Sequence, residues 1–178
     1  EFGVNVPKSA SIAAMLAPDL AEALATAQER SAVAGVQAVR RHARVRVTLE
    51  GRQQLVGVDG LEVAVFGHDG SREGDPHLHL HVQVSAKALV DGQWRGLAGR
   101  QMVAALGDWQ ATVTASLATD PAWNAAVARH GLTLTVEGGI AEIGPELEAL
   151  FSRRHAAIEI ERDTLLADFH RVEGVAPS

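Results

Sequence analysis

The sequence predicts an α+β domain with a mostly antiparallel central sheet and flanking helices. Short segments of alternating apolar and polar residues are joined by two-residue turns such as Asp59-Gly60 and Asp91-Gly92, which is typical of hairpins. Longer segments between them carry apolar residues at helical spacing. With 178 residues and 47% apolar content, the chain is long enough for one domain with a buried core.

Proline and serine residues mark the first elements. Pro7 ends the first strand, and Ser9 or Ser11 caps a short helix after it. Pro18 suits the first turn of a second helix, which is rich in alanine. In order, these signals predict a strand at Glu1–Val6, a short helix through Leu16 and a longer helix from Pro18 to about His42.

Alternating residues predict the strands that follow. Asp59-Gly60 and Asp91-Gly92 each predict a hairpin between neighbouring strands. The polar segment from Gly67 to Pro76 is predicted to be a loop. The predicted strands are Arg44–Leu49, Gln53–Val58, Leu61–Phe66, His77–Leu89 and Gln93–Leu97.

The C-terminal part is predicted to be mostly helical. Asp120-Pro121 suits a helix start, and Gly131 suits its end. Gly138-Gly139 predicts a last hairpin. The predicted elements are a helix at Gln101–Leu117, a helix from Pro121 to Gly131, strands at Leu132–Val136 and Ile140–Ile143, and a helix from Pro145 to about Arg171 that breaks near Ser152. Residues 1–172 are predicted to form one domain, and residues 173–178 a loose tail.

Composition excludes several classes of protein. There is no cysteine, which rules out disulfides and thiolate metal sites and suits a reducing cytoplasm. No apolar run is long enough to span a bilayer, and no stretch of these 178 residues has the pattern of a signal peptide. The net charge is −6, which argues against indiscriminate coating of DNA. Acidic and basic residues balance up to Arg100, so the N-terminal part can still present a local basic groove.

Three histidines alternate with apolar residues in the predicted strand His77–Leu89. His77, His79 and His81 share one face of that strand, and the residues between them face the core. Neighbouring residues on one face are about 7 Å apart, so two imidazoles can converge on one ion but three in a row rarely can. A third ligand is therefore expected from another strand.

Three interpretations of these histidines are open. One is a solvated polar strand face. The second is the histidine triad of nucleotide hydrolases, whose pattern fails at Gln83 and lacks an apolar strand directly upstream. The third is a metal site of His79 and His81 with His68, which stands 11 residues before His79 at the end of another strand. Three neutral imidazoles leave coordination positions open, as catalytic sites do, and we favour this interpretation.

The segment from Val63 to Val82 resembles the three-histidine motif of MobF-type conjugative relaxases, which are HUH endonucleases. The family pattern is F-x-H-D-x-S-R-x-x-D-P-x-L-H-x-H-V, and this sequence matches every fixed position. Further segments resemble the family on both sides of the motif. They are Val6–Ser11, Asp91–Leu97, Glu142-Ile143 and Phe151–Arg154.

The resemblance implies an HUH relaxase-like fold, circularly permuted relative to replication initiators. It also implies that His68, His79 and His81 hold one divalent metal ion, and that His77 stands at a variable position. Glu1 stands where relatives have an aspartate beside the active site, and it is the candidate catalytic carboxylate. Relatives use magnesium or manganese, whereas imidazole ligands by themselves favour zinc, nickel, copper or manganese.

Members of this family nick and rejoin single-stranded DNA at a plasmid transfer origin through a tyrosine nucleophile. This sequence contains no tyrosine. It is therefore expected to be a relaxase fragment that lacks the N-terminal tyrosine segment and is inactive alone. The alternative is a non-catalytic remnant that binds single-stranded DNA or a partner protein.

The expected partner is single-stranded DNA in a bacterial cytoplasm, with relaxosome accessory proteins as further candidates and no membrane. Phosphate contacts are expected from basic side chains, base stacking from Trp94 or Trp109, and support of a ligand imidazole from Asp69. The candidate phosphate contacts are Lys8, Arg44, Arg46 and Arg72.

Overall fold

The computed structural model describes residues 1–173. Its strands and helices follow one another as an α+β arrangement, which confirms the predicted class. In chain order they are β1 (Phe2–Asn5), α1 (Lys8–Leu16), α2 (Pro18–His42), β2 (Arg44–Leu49), β3 (Arg52–Gly57), β4 (Gly60–Gly70), β5 (Pro76–Val90), β6 (Gln93–Gly96), α3 (Gly99–Ala104), α4 (Leu106–Ala118), α5 (Pro121–Arg129), α6 (Pro145–Leu150) and α7 (Arg153–Glu173).

The central sheet has the order β1-β5-β4, and β6 pairs with the C-terminal part of β5. All of these pairings are antiparallel. Strands β2 and β3 form a separate two-stranded sheet. The long strand β5 therefore organises the sheet, with the histidines near its start and the β6 hairpin at its end.

Helix α2 crosses one face of the sheet and packs on α1, α4 and α5. The apolar residues between the histidines, Leu78, Leu80 and Val82, point to this helical side. Gly35 lets α2 approach α4 closely, because a Cβ atom there would lie 2.6 Å from the Trp109 ring. The helices thus cover one face of β5 and leave the histidine face open.

The hairpin predicted at Asp59-Gly60 is wrong. The turn that forms the hairpin of β2 and β3 is Glu50-Gly51, with φ of 50° and 77°. Asp59 instead donates its backbone N–H to Leu89 O at 2.8 Å, so the chain crosses there from the small sheet to the central one. The Asp91-Gly92 hairpin is confirmed. The local turn residues misplaced the first hairpin because β4 pairs with β5 in the central sheet and not with β3.

The predicted caps of α1 are also wrong, because α1 begins at Lys8 and Ser9 and Ser11 lie buried inside it. The Ser9 hydroxyl accepts a hydrogen bond from the backbone N–H of Ile140 at 3.0 Å. The Ser11 hydroxyl accepts one from the backbone N–H of Leu78 at 3.1 Å. These serines tie α1 to distant backbone instead of ending the helix.

Strand β4 continues to Gly70, so the predicted loop at Gly67–Pro76 shortens to a turn. The Ser71 hydroxyl closes this turn by accepting hydrogen bonds from the backbone N–H groups of Glu73 and Asp75, both at 3.2 Å. The extension of β4 puts His68 within a strand and not in a loop.

The C-terminal predictions are met in part. The helix predicted at Gln101–Leu117 is divided at Ala105 into α3 and α4. The last hairpin is reduced to a single bridge between Leu134 and Ile140. The Asp120 cap of α5 and the break near Ser152 are confirmed. Glu173 belongs to α7, and the rest of the predicted tail lies outside the described residues.

No helix within residues 1–173 is long and apolar enough to cross a membrane.

Candidate metal centre

The pairing of β4 with β5 brings histidines together from two strands. His68 stands directly opposite His79 in the antiparallel register, and Phe66 stands opposite His81. Directly opposite residues share a face, so the His68 side chain lies on the same side of the sheet as the alternating histidines. The predicted approach of His68 to His79 and His81 is confirmed as geometry.

The three rings lie close to one another. The ring centroid of His68 is 5.2 Å from that of His79 and 5.1 Å from that of His81. The centroids of His79 and His81 are 4.9 Å apart, and their Nε2 atoms are 3.1 Å apart. Two nitrogens bound to one tetrahedral ion would be about 3.3 Å apart. The Nε2 atoms of this pair therefore already have the spacing of metal ligands.

Hydrogen bonds fix which nitrogen of each ring faces the cavity. The Nδ1 atom of His79 lies 2.8 Å from the carbonyl oxygen of His77, which only accepts, so Nδ1–H donates to it. The Nδ1 atom of His81 lies 2.5 Å from Oε1 of Glu1. This hydrogen bond from His81 lowers the pKa of the Glu1 carboxyl below its ordinary value. With both Nδ1 atoms engaged in this way, the Nε2 atoms, 3.1 Å apart, are left as the nitrogens that can bind a metal ion, as in metal-binding histidines with a second hydrogen bond.

The donor set fits a divalent ion, although His68 is not yet aimed at it. Within the described part of the chain, no three or more His, Cys, Asp or Glu side chains stand ready to hold a metal ion together. The His68 ring is stacked on the His79 ring with an interplanar angle of 22°. A third bond therefore requires the His68 ring to turn about its side-chain torsions. Such a rotation costs little because His68 is exposed, whereas a change in the strand register that gathers the rings would cost much more.

His77 shares the strand face, and its ring centroid is 4.5 Å from that of His79. Burial lowers the pKa of the His77 imidazole below its ordinary value, with a further contribution from the charge of His79. Its main-chain carbonyl accepts the hydrogen bond that orients His79, while its ring packs beside the His79 ring.

An open cavity of about 520 Å³ lies over the histidines. Two arginines from different elements line it, Arg72 from the turn after β4 and Arg154 from the start of α7. The other described lining residues are His68, Gly70, Ser71, His77, His79 and His81. Imidazoles and guanidiniums at one opening make a site for an anionic ligand such as a phosphodiester.

Asp75 connects this cavity to α7. Its carboxylate is buried and accepts hydrogen bonds from the backbone N–H and from Nε of Arg153, both at 2.8 Å. Burial by itself raises the pKa of Asp75, but the bonds and charge of Arg153 outweigh burial and lower that pKa below its ordinary value. Arg153 also donates from a terminal guanidinium nitrogen to Glu73 O at 2.7 Å. The first residue of α7 is thereby fixed to the turn between β4 and β5.

The other candidate residues lie at different distances from the cavity. Lys8 donates to Pro76 O at 2.7 Å and lines a neighbouring cavity. Arg44 and Arg46 stand on β2, which forms an isolated bridge to Leu97. Leu97 in turn donates its backbone N–H to the carbonyl of Ala86, in the C-terminal half of β5. Ala86 is five residues from His81, or roughly 17 Å along a strand. Arg44 and Arg46 are not among the described residues that line the histidine cavity, so the DNA contacts expected of them stay predictions.

Asp69 is exposed on β4, and no imidazole hydrogen bond reaches it within the described residues, so its supporting role stays a prediction. Trp109 is only 2% exposed, and its indole N–H donates to Gly3 O at 2.9 Å. It belongs to the core and does not offer a face for base stacking. Trp94 is half exposed on β6 and is accessible for such a contact.

Sequence reasoning gave no role to two features of the site. Arg154 stood in a segment matched to the relaxase pattern, which was a signal that this position is close to the site. The carbonyl of His77 left no signal, because a main-chain acceptor does not depend on residue identity.

A family model described as TrwC relaxase matches residues 1–177. Two curated relatives, each described as multifunctional conjugation protein TraI, come from Escherichia coli and from its strain K12. They are 37% and 34% identical to this chain over 93 residues. The alignments cover 52% of this chain and 5% of each TraI protein.

Solved structures of conjugative relaxase TrwC in complex with oriT DNA are also similar. A copper-bound structure has a TM-score of 0.72 and 25% identity, covering 98% of this chain and 56% of that one. A metal-bound structure has a TM-score of 0.68 and 26% identity, covering 98% and 57%. This chain therefore spans just over half of each TrwC chain and a small part of TraI. A match along nearly its whole length, together with the paired strands that gather its histidines, shows that the chain belongs to the TrwC relaxase family.

Proposed function

We propose that this chain is the metal-binding core of a relaxase domain that nicks and rejoins single-stranded DNA at a plasmid transfer origin. The observation that carries the proposal is the gathering of His68, His79 and His81 beside Glu1 in an open cavity. The TrwC relatives bound to oriT DNA, one of them with copper, support the same assignment. The conjugation proteins TraI support a role in DNA transfer.

The described residues prepare the site for a phosphodiester. Glu1 and the carbonyl of His77 hold the imidazoles of His81 and His79, so that their Nε2 atoms face the cavity. A bound divalent ion would polarise the non-bridging phosphate oxygens and offset the charge that develops on them. Arg72 at the cavity supplies a fixed positive charge to the same phosphate.

The nucleophile of this proposal is a tyrosine supplied from outside these 178 residues, because the sequence contains none. Serine is not proposed in its place, because the reaction of the family that this chain belongs to is assigned here to a tyrosine. Incubation of the chain alone with single-stranded DNA is therefore expected to give no covalent protein–DNA adduct on a denaturing gel. An adduct would contradict this assignment of the nucleophile.

The proposed metal ion rests on the imidazole donor set and on the family, and the proposed domain, location and further partners rest on the family. Magnesium or manganese is the proposed ion in function, and zinc, nickel or copper also suit three imidazoles. Residues 1–172 are proposed to act as one domain in a bacterial cytoplasm. Relaxosome accessory proteins are proposed as further partners of the parent protein.

A non-catalytic remnant that binds single-stranded DNA or a protein is the second candidate, and the net charge of −6 favours it. A remnant has no need of three gathered imidazoles, which favours the relaxase core. The match to the TrwC family also favours the relaxase core over a histidine-triad nucleotide hydrolase.

Titration of Mn²⁺ into the chain by calorimetry tests the site. We expect one binding event in the natural chain and none in His79→Ala, which removes a ligand. His130→Ala is the matched control, because His130 lies exposed on the C-terminal side of α5 and pairs with Asp19 at 2.9 Å. Unchanged affinity in His79→Ala, or equal loss in both variants, would overturn the proposed site.

A further inference from the structure

The cavity over the histidines continues into a second cavity of about 320 Å³. Ser71, His77 and Arg154 line both, so the two form one groove along the start of β5. The second cavity also reaches Lys8 and His155. An extended ligand that lies over the histidines and continues along this groove would pass Arg154 where the two cavities meet.

The charge of the groove suits a polyanion. Its basic side chains, Arg72, Arg154 and Lys8, come from three separate elements. Asp75 is the one carboxylate among the described lining residues, and its charge is offset by Arg153 at 2.8 Å. Three basic side chains, beside a single carboxylate that is already paired among the described lining residues, suit the repeated negative charges of single-stranded DNA.

The position of Arg154 depends on the first turn of α7. Asp75 accepts the backbone N–H of Arg153, which is among the helix N–H groups that have no partner within the helix. It also accepts Nε of the same residue, and Arg153 holds Glu73 O as well. Three hydrogen bonds therefore fix the residue directly before Arg154 to the turn that leads into the histidine strand.

We propose that Arg154 binds a backbone phosphate of single-stranded DNA where the two cavities meet, and that Asp75 is the positioning residue that holds it there. This inference rests on the proposed function, since it names a further contact of the same site. Arg72 and Arg154, which come from different elements, then bind phosphates of the same strand as it passes the imidazoles.

The test measures the salt dependence of DNA binding by the full chain of 178 residues in Mn²⁺. The probe is a fluorescein-labelled single-stranded DNA of about 20 nucleotides and mixed sequence, followed by anisotropy from 50 to 200 mM NaCl. Loss of one phosphate contact makes the slope of log affinity against log salt shallower by about 0.7. We expect this loss in Arg154→Gln, with affinity about tenfold weaker at 50 mM salt.

Two further variants separate contact from fold. Arg154→Lys keeps the charge and is expected to restore most of the slope, which a purely structural role would not require. Arg129→Gln is the matched control, because Arg129 lies exposed on α5 and pairs only loosely with Asp19 at 3.5 Å. It is expected to keep the natural slope.

Asp75→Asn tests the positioning role. We expect it to lose the same slope as Arg154→Gln, and the double variant to lose no more than either single variant. Circular dichroism checks that Asp75→Asn is folded. Should it fail to fold, Arg153→Ala takes its place, because this change removes the side-chain bonds to Asp75 and Glu73 but leaves the backbone N–H.

The outcomes distinguish the two proposals. A natural chain with no salt-dependent binding of the probe overturns the proposed function and this inference with it. A natural chain that binds, with an unchanged slope in Arg154→Gln, overturns the contact at Arg154 alone. A folded Asp75→Asn, or its Arg153→Ala substitute, with the natural slope overturns the positioning role.

Discussion

The Nδ1 atom of His81 lies 2.5 Å from the Oε1 atom of Glu1, a residue 80 positions earlier in the chain. The contact exists because β1 pairs with β5 and places Gly3 opposite His81, so that Glu1 reaches the same face of the sheet. A carboxylate that accepts Nδ1–H fixes the tautomer of the ring and makes the opposite nitrogen a better ligand.

Glu1→Gln tests that contact. The amide is a weaker acceptor than a carboxylate and can present its NH₂ group to the ring instead, so affinity for Mn²⁺ is expected to fall by about 10- to 100-fold. Calorimetry measures the change. Glu137→Gln, at an exposed turn position remote from the histidines, is the control and should keep the natural affinity. Equal affinities in the two variants would show that Glu1 does not support the site.

His77→Ala is expected to keep metal affinity within about threefold of the natural chain. Loss of a ligand or of a supporting hydrogen bond would instead lower that affinity by about tenfold or more. The reason is that His77 orients His79 through its main-chain carbonyl, which alanine also provides. The same calorimetric titration, run beside His79→Ala, gives the comparison. A loss of tenfold or more in His77→Ala would make its imidazole a ligand.

Asp75→Asn is expected to lower the Tm at pH 7, because it removes the charge that pairs with Arg153. The pKa of Asp75 in the folded chain is lowered, so its stabilising contribution is complete above the unfolded pKa, near 3.9. That contribution is lost as the pH falls through the folded pKa. The difference in Tm between the natural chain and the variant should therefore narrow below about pH 4.

Thermal unfolding followed from pH 7 to pH 2 measures that difference. Glu161→Gln, an exposed substitution on α7, is the control and should follow the natural chain throughout. A difference that stays constant with pH would assign the effect of Asp75→Asn to shape and not to charge.

Gly35→Ala is expected to destabilise the fold by about 1–3 kcal/mol, since the new Cβ would lie 2.6 Å from the Trp109 ring and 2.9 Å from Val113. This cost exceeds the gain of up to about 1 kcal/mol from better helix propensity. Gly107→Ala is the matched case on α4, where nothing lies within 4 Å of the added Cβ. It should be neutral or slightly stabilising in urea unfolding, and the same result for Gly35→Ala would contradict the close approach of α2 and α4.

The period of apolar residues was enough to predict most elements. Helix α2 begins at Pro18 and ends at His42, and strand β2 runs from Arg44 to Leu49, as predicted. These elements were predictable because a helix or strand with one buried face must repeat its apolar residues at a fixed interval. The turn at Asp91-Gly92 was predictable because both positions need positive φ, at 49° and 71°.

Elements that depend on distant partners were predicted less well. Asp59-Gly60 has the residues of a hairpin turn, yet Asp59 bonds to Leu89, which lies 30 positions later in the chain. Ser9 and Ser11 have the residue type of helix caps, yet each accepts a hydrogen bond from backbone more than 60 positions away. Local propensity is a weak term, and tertiary hydrogen bonds of buried groups outweigh it.

The sequence by itself determined the alternation that puts His77, His79 and His81 on one face of β5, and the spacing that made His68 a candidate partner. Only the tertiary structure decided the rest of the site. The register of β4 on β5 put His68 opposite His79, the pairing of β1 brought Glu1 to His81, and the bonds of Asp75 brought α7 and Arg154 to the groove. The physical reason is that side-chain direction repeats within one strand, whereas contacts between segments depend on register and on buried hydrogen bonds that no local pattern encodes.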